Sequence, residues 1–375
     1  MTTASWIEID KEALEHNILN YKSIIKPALL APVIKSNAYG HGVELIAKIC
    51  DQNDLVNMLC VVSLKEARAL RLINITKPIV VLSIIDDNLK YIITHDIDVV
   101  AYDIAFIYEL NNIGKRLNKK AKIHIKVDSG LSRLGLYHQD ILTLIKQTQE
   151  LPFIVINGIF THFAESENAD QTFTNYQIEQ FNTLIQQLDA MKISIPFKHM
   201  ACSAATSGNT NSRYNLVRVG IGTYGLWSSP DSKQITLQQY PQFSLKPVLT
   251  WKTKIIQIKD ILAGSFVGYD RTYQVQNLTR IAIIPVGYWD GYDRRLSNKG
   301  RVVINNQQAP IIGRIAMNLS IIDITGLDVS INHDVTLLGN HQGLTADDIA
   351  TICQTINYEI VTRINPLLPR LLKPI

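Results

Sequence analysis

Between residues 32 and 219 the sequence repeats one alternation eight times: a short apolar run of strand length, followed in most cases by a segment whose apolar residues recur at helical spacing. The runs begin near Pro32, Met58, Pro78, Asp98, Lys122, Phe153, Phe197 and Leu216, and helical patterns lie at Lys11–Ile25, Leu64–Leu72, Ile104–Leu117 and 176–191. Parallel neighbours must be joined by a crossover, for which a helix is the usual solution, so this order predicts a parallel sheet covered by helices. Eight repeats predict closure into a TIM-type (β/α)8 barrel. An open doubly wound sheet is the alternative, but no G-x-G-x-x-G turn follows the first strand.

The texture changes after Trp227. Ser-Ser-Pro-Asp-Ser-Lys at 228–233 reads as a connector, and short β-branched runs follow at 253–258, 280–285, Arg301–Ile304 and 335–338. Asn305-Asn306 predicts a hairpin turn between 302–304 and 308–312. Thr345 predicts the N-cap of a short helix ending at Cys353, with acids in its first turn. Residues 1–235 are therefore expected to form the barrel and 236–375 a mostly β C-terminal domain.

At 375 residues the chain is long enough for two such domains. A net charge of +4 without a long basic run gives nucleic-acid binding no support. Cys50, Cys60, Cys202 and Cys353 lack paired spacing, which argues against a zinc site or a disulfide scaffold, and no metal is expected. The N-terminal segment lacks a basic start and an apolar core, and no apolar run approaches bilayer length, so a cytoplasmic protein is expected.

In a TIM barrel the reactive groups sit at the C-terminal ends of the strands. Ala31-Pro-Val-Ile-Lys-Ser-Asn-Ala-Tyr-Gly-His-Gly42 places Lys35 at such an end. Burial would strip water from its ammonium and lower its pKa, so that the neutral amine could attack an aldehyde; equally, a lysine after Pro-Val-Ile could leave the strand for solvent. Lys126 lies in the fifth strand of Ile123-His-Ile-Lys-Val-Asp-Ser-Gly-Leu-Ser-Arg-Leu-Gly135, which also carries Arg133. A lysine within an apolar strand needs a partner, and Asp128 is one candidate. His162 closes the sixth strand, Ser203 follows the seventh, and Arg218, Gly220 and Ile221 mark the end of the eighth, where backbone amides permitted by glycine can converge on a phosphate.

These segments, with Gly264-Ser-Phe-Val-Gly-Tyr-Asp-Arg-Thr-Tyr273, Ile284-Pro-Val-Gly-Tyr-Trp-Asp-Gly-Tyr292 and Ile312-Gly-Arg-Ile-Ala-Met-Asn318, resemble those of alanine racemases, in the same order and over nearly the whole chain. The resemblance implies an enzyme dependent on pyridoxal 5′-phosphate, with Lys35 holding the cofactor and Tyr39 helping to bind its phosphate. Ser203, Gly220 and Ile221 would complete the phosphate set, His162 would lie against the ring, and Arg218 would face the pyridine nitrogen. Arg133 would contact the phenolic oxygen and be oriented by Lys126, a lysine often carbamylated in that family. Racemisation needs a base on each face of Cα. Lys35 and Tyr269 match those two bases, and Tyr288 with the Met317 backbone amide would line the carboxylate end of the substrate. In that family the β domain of one chain completes the barrel site of another, which implies a head-to-tail homodimer.

Three positions depart from the pattern: Cys202 for an asparagine, Asn318 for an acid, and Pro366 for a tyrosine that touches the phosphate and narrows the substrate pocket. Proline is smaller and lacks the hydroxyl, so a wider pocket is expected, admitting serine or larger amino acids beside alanine. Rival readings are a broader-specificity racemase, a fold-type III decarboxylase, which would carry a Gly-Gly-Gly phosphate run and an acid at the ring nitrogen, and a non-catalytic carrier of the cofactor. Supply of D-alanine to cell-wall peptidoglycan and catabolism of D-alanine both remain open.

Overall fold

The computed structural model describes residues 4–374. They pack as two compact units, one made of residues 15–36 and 46–246, the other of residues up to 14, 37–45 and those from 247 onward.

In the first unit, among the described residues, eight barrel strands occur in chain order: Leu29–Pro32, Leu59–Ser63, Ile79–Ile84, Ile97–Ala101, Ala121–Lys126, Ile154–Phe160, Phe197–His199 and Leu216–Val219. Strands two to seven form one parallel sheet, and the first pairs in parallel with the eighth. Closure comes from Ile34 N–H donating to the Cys60 carbonyl at 2.9 Å on one side and Arg218 N–H donating to the Ala201 carbonyl at 3.0 Å on the other. A closed sheet leaves no unpaired edge and is covered on both faces, which is why its strands read as largely apolar runs; Ile97–Ala101 is buried at every position, Asp98 included. The helices Lys11–Ile25, Leu64–Leu72 and Ile104–Leu117 lie where their periodicity predicts. The helix expected at 176–191 starts earlier, as Thr172–Ala190, because the Asp170 carboxylate accepts the Thr172 N–H at 2.9 Å and sets the first turn ahead of the apolar stripe.

Three expectations are corrected. The first strand ends at Pro32 instead of beginning there, so Lys35 stands three residues past it. The 228–233 segment is largely helix: Ser229 caps Pro230–Gln239, its hydroxyl accepting the Ser232 N–H at 3.0 Å while the Ser232 hydroxyl accepts the Ser229 N–H at 3.0 Å. Ser-Pro-Asp fits a turn, but proline at the first helical position is equally a helix start. The run at 253–258 is divided between Leu249–Lys254 and Gln257–Ile261, which belong to different sheets. The chain changes partner between them, Ile255 N–H donating to the His333 carbonyl and Ile256 N–H to that of Ile283.

The second unit holds a six-stranded sheet in the order Gln307–Pro310, Arg301–Ile304, Asp334–Leu338, Leu249–Lys254, Ser5–Ile9, Arg370–Leu372, and a three-stranded sheet of Gln257–Ile261, Thr279–Ile284 and Ser320–Asp323. The N-terminal strand Ser5–Ile9 is thus antiparallel to Leu249–Lys254 in this unit. Asn305 and Asn306, with φ of 48° and 63°, make the two-residue hairpin turn, although its second strand runs over Gln307–Pro310 and not to 312. Thr345 caps Ala346–Cys353 through a capping box with Asp348. Among the described residues no helix is long and apolar enough to cross a membrane.

The first barrel strand leads into a turn of left-handed helix over Lys35–Tyr39, with Ser36, Asn37, Ala38 and Tyr39 at φ of 53–54°. Left-handed backbone costs an L-residue roughly 1–2 kcal/mol, so this turn must be held from outside. Asn37 accepts the Val43 N–H at 2.9 Å through its side chain and the Gly42 N–H at 3.0 Å through its carbonyl. His41 hydrogen-bonds through Nδ1 to the Ala38 and Tyr39 carbonyls, and burial pushes its pKa down to about 4. Gly40, at φ 85°, closes the turn where a Cβ would stand 1.9 Å from the Val361 carbonyl oxygen. Gly40→Ala should therefore cost more than about 2 kcal/mol of unfolding free energy, read from the denaturant midpoint. A loss below about 0.5 kcal/mol would show that the Val361 segment gives way.

Candidate functional site

The C-terminal end of the barrel gathers cationic and neutral nitrogen groups. Lys35 has its pKa lowered by burial first and by Arg133 second, against an opposing pull from Glu66. Glu66 is engaged by backbone, accepting Ser36 N–H at 2.7 Å and Val62 N–H at 2.9 Å, and so fixes the start of the left-handed turn beside Lys35. Lys126, the last residue of the fifth strand, is 6% exposed, and its side chain makes no hydrogen bond or ion pair among the described residues; its terminal nitrogen lies 4.3 Å from the centre of the Phe160 ring. Burial, Arg218 and Arg133 push its pKa well down. Asp128 is not its partner. That carboxylate accepts the N–H groups of Gly130 and Ser132, at 2.9 and 3.0 Å, and shapes the loop leading to Arg133, whose own side chain is exposed. His162 is held neutral by burial and by the combined field of Arg218, Lys126, Arg133 and Lys35, which places these five predicted residues within one electrostatic neighbourhood.

Arg218 lies inside the eighth strand and is 3% exposed. It donates to the Thr161 carbonyl at 2.8 Å, the Met200 carbonyl at 3.2 Å, His162 Nδ1 at 3.3 Å and His199 Nδ1 at 2.7 Å. Among the described residues it has no ion pair. Behind it the polar chain continues: His199 Nε2 lies 2.8 Å from His124 Nδ1, and His124 Nε2 lies 3.0 Å from Asp98 Oδ2, which also accepts from Asn157. Asp98, His124, His199 and Asn157 were not singled out from the sequence. Two signals were available: His124 and Lys126 stand two apart on one strand and so share a face, and Gly158 interrupts an apolar strand, its absent side chain making room for the His124 ring.

After the seventh strand, the Ser203 hydroxyl accepts the N–H groups of Gly220 and Gly222 at 2.9 and 3.2 Å. Its own proton has no acceptor among the described residues. Ser203, Gly220 and Ile221 are thereby adjacent, a grouping suited to an anion. A nucleophilic amine of lowered pKa, a buried cation and such a grouping together suit an aldehyde-bearing, phosphorylated ring.

The other predicted residues lie in the β-rich unit. Tyr39 is half-buried, its ring centre 6.2 Å from that of Tyr358. Tyr288 and Met317 ride on adjoining segments, with Tyr288 N–H donating to the Ala316 carbonyl and Trp289 N–H to that of Met317. Gly287 permits this approach, since a Cβ would stand 2.2 Å from the Ala316 oxygen. Tyr269 follows Gly268 in a short 3-10 turn next to the 313–314 segment, where Asp270 pairs with Arg314 at 3.4 Å. Its hydroxyl has no hydrogen bond among the described residues, and the residue is 67% exposed.

Two family models cover the chain: the alanine racemase N-terminal domain matches residues 9–228 and the C-terminal domain residues 248–372. The chain belongs to the alanine racemase family. A relative, the alanine racemase of Clostridium perfringens, is 36% identical over 98% of this chain and 95% of its own. Among solved structures of the family, the alanine racemase of Clostridium difficile 630 superposes with a TM-score of 0.93 at 31% identity, over 100% of this chain and 96% of that one. The alanine racemase of Bartonella henselae, solved with covalently bound pyridoxal phosphate, gives 0.85 at 28% identity over the whole of both chains.

The unpaired amine of Lys126 carries a pH signature. Its folded pKa lies well below the ordinary 10.5, so the unfolded chain binds the proton more tightly. The resulting penalty on folding is absent above about pH 10.5 and grows as pH falls, until the folded site itself protonates. Lys126→Met should accordingly stabilise the cofactor-free protein more at pH 7 than at pH 10, measured by chemical unfolding in CO2-free buffer. Equal gains at both pH values would mean that the lysine is not buried as a neutral amine.

Proposed function

We propose that this chain, an isomerase of the alanine racemase family, interconverts L- and D-alanine in the cytoplasm with pyridoxal 5′-phosphate as cofactor, as a homodimer. The observation that carries the reading is Arg218, a buried cation with no acid in contact among the described residues. An arginine opposite a ring nitrogen can only donate a hydrogen bond and is too weak an acid to transfer its proton, so the nitrogen stays unprotonated and the ring remains a moderate electron sink, suited to returning a proton to Cα. A decarboxylase of the same fold type would place an acid there.

When bound, the cofactor supplies a conjugated electron-withdrawing ring that acidifies the amino acid's Cα–H bond. The chain's own groups do the rest. Lys35, with its lowered pKa, removes or returns the proton on one face, and Tyr269 of the partner subunit does so on the other. Ser203, Gly220, Ile221 and Tyr39 hold the phosphate, His162 supports the ring, Arg133 binds the phenolic oxygen and the substrate carboxylate, and Tyr288 with the Met317 amide closes the carboxylate end. Lys126 accepts CO2 as a carbamate: its nitrogen forms the new C–N bond and releases a proton, giving an anion that orients Arg133 and relieves the unpaired buried amine. An assembly through the β-rich unit is supported by the exposure of Phe266, Tyr269, Tyr288, Trp289, Met317 and Leu319, each between 44% and 67%.

In deuterated water with L-alanine, the holoenzyme should show Cα deuterium incorporation together with the D-enantiomer. Tyr269→Phe should lower racemisation by about 10²–10⁴-fold, yet retain exchange without inversion from one enantiomer. Loss of racemisation with no residual exchange from either enantiomer would refute the division of labour. No exchange in the unmodified enzyme would refute the function.

Pro366 is exposed in a segment held by Arg370, whose guanidinium donates to the carbonyls of Gly40, Ile364, Asn365 and Leu368. We infer that its small ring widens the substrate pocket. Pro366→Tyr should cut the rate on L-serine relative to L-alanine, by about 10-fold or more if one to a few kcal/mol of steric discrimination is restored. Unchanged relative rates across an amino-acid panel would count against this.

A further inference from the structure

The hydrogen-bond chain behind Arg218 has only one consistent arrangement of protons. A guanidinium can only donate, so His199 Nδ1, 2.7 Å from it, must accept and carry no proton. A neutral imidazole with Nδ1 bare carries its proton on Nε2. That proton faces His124 Nδ1 at 2.8 Å, which must accept in turn, leaving the second imidazole protonated on Nε2 as well. His124 Nε2–H then donates to Asp98 Oδ2 at 3.0 Å. An extra proton on either ring would set two donors face to face at under 3 Å. Asp98, His124, His199 and Arg218 are all at most 4% exposed, so water cannot repair such a conflict. Burial and the neighbouring Arg218 also push His199 far toward its neutral form.

From this we infer that Asp98 is a positioning residue for Arg218: acting through two imidazoles, it fixes their tautomers so that the arginine is held as an oriented cation without any acid touching it. An acid in direct contact would take Arg218 N–H groups and draw the guanidinium toward itself. Placed two rings away, the carboxylate orders the chain and polarises the His199 nitrogen that receives the arginine's N–H, while the other guanidinium N–H groups go to the Thr161 and Met200 carbonyls and to His162. The catalytic side of the inference rests on Arg218 facing the cofactor ring, as proposed above.

The geometry provides a variant that separates charge from shape. His124 and Asn157 both donate to the same Asp98 oxygen, Oδ2, so the amide oxygen of Asp98→Asn placed there can accept both and keep the tautomers.

The test uses holoenzyme labelled with 15N at histidine, with His124 and His199 assigned from single glutamine variants. The unmodified enzyme should show both rings with the proton on Nε2 and Nδ1 bare. An imidazolium or an Nδ1–H ring at either position would overturn the inference. Asp98→Asn should keep these tautomers, lower kcat at least 10-fold with KM within 3-fold, and shift the absorption of the bound cofactor. Unchanged kcat and absorption, with the tautomers intact, would overturn it too. If Asp98→Asn does not fold, Asn157→Ala, which removes one of the two donors to Asp98, should move kcat and absorption in the same direction, and no movement would be negative. Arg218→Gln separates the two layers: unchanged cofactor absorption in that variant would refute the role of Arg218 at the ring, whereas the tautomer result bears on the Asp98 chain alone.

Discussion

Positive charge buried without negative charge beside it is the constraint around which the barrel end is organised. Arg218 and Lys126 are both almost wholly removed from water, and neither has a carboxylate partner among the described residues. Desolvating such groups is costly, and the two solve the problem differently. Arg218 cannot give up its proton, so it spends its donors on carbonyls and imidazoles. Lys126 can, and its depressed pKa is the response. The acids nearby are engaged in fixing backbone: Glu66 at Ser36 and Asp128 at Gly130 and Ser132. The result is a region that favours anions and neutral amines.

The same logic of support from outside governs the turn after the first strand. Four successive residues in left-handed conformation are unfavourable in isolation, yet Lys35 begins the turn and Tyr39 ends it. Glu66 holds its start, while Asn37, His41 and Gly40 hold its end, with the Arg370 guanidinium closing on the Gly40 carbonyl. A right-handed turn would send these side chains in other directions. Strain here is the means by which two residues four apart are aimed separately, and it persists because the surroundings over-determine it.

The sequence carried the barrel because its signal is periodic and repeated: eight apolar runs appear as eight strands, and three helices begin and end where their stripes do. It failed where one local pattern serves two structures. Ser-Pro-Asp suits a turn and a helix start alike, and the β-branched run across 253–258 does not reveal that the chain changes sheets at Ile255 and Ile256. Residues at strand ends were identifiable because a barrel confines chemistry there. Asp98, His124 and His199 were not, since a polar residue inside an apolar run has no meaning until its partners, 26 and 75 positions away, are known. The two-residue spacing of His124 and Lys126 and the gap at Gly158 were the signals that pointed toward them.

That gap shows how the two levels connect. A Cβ at Gly158 would stand 2.2 Å from His124 Nδ1, the atom that receives the His199 proton, and the register between the fifth and sixth strands shifts at this point. The missing side chain at Gly158 therefore leaves room for the His124 ring, which lies in the hydrogen-bond chain that runs through His199 to Arg218. The orientation of a polar group at the barrel end is in this sense built from the packing of its interior strands as well as from the groups on its rim.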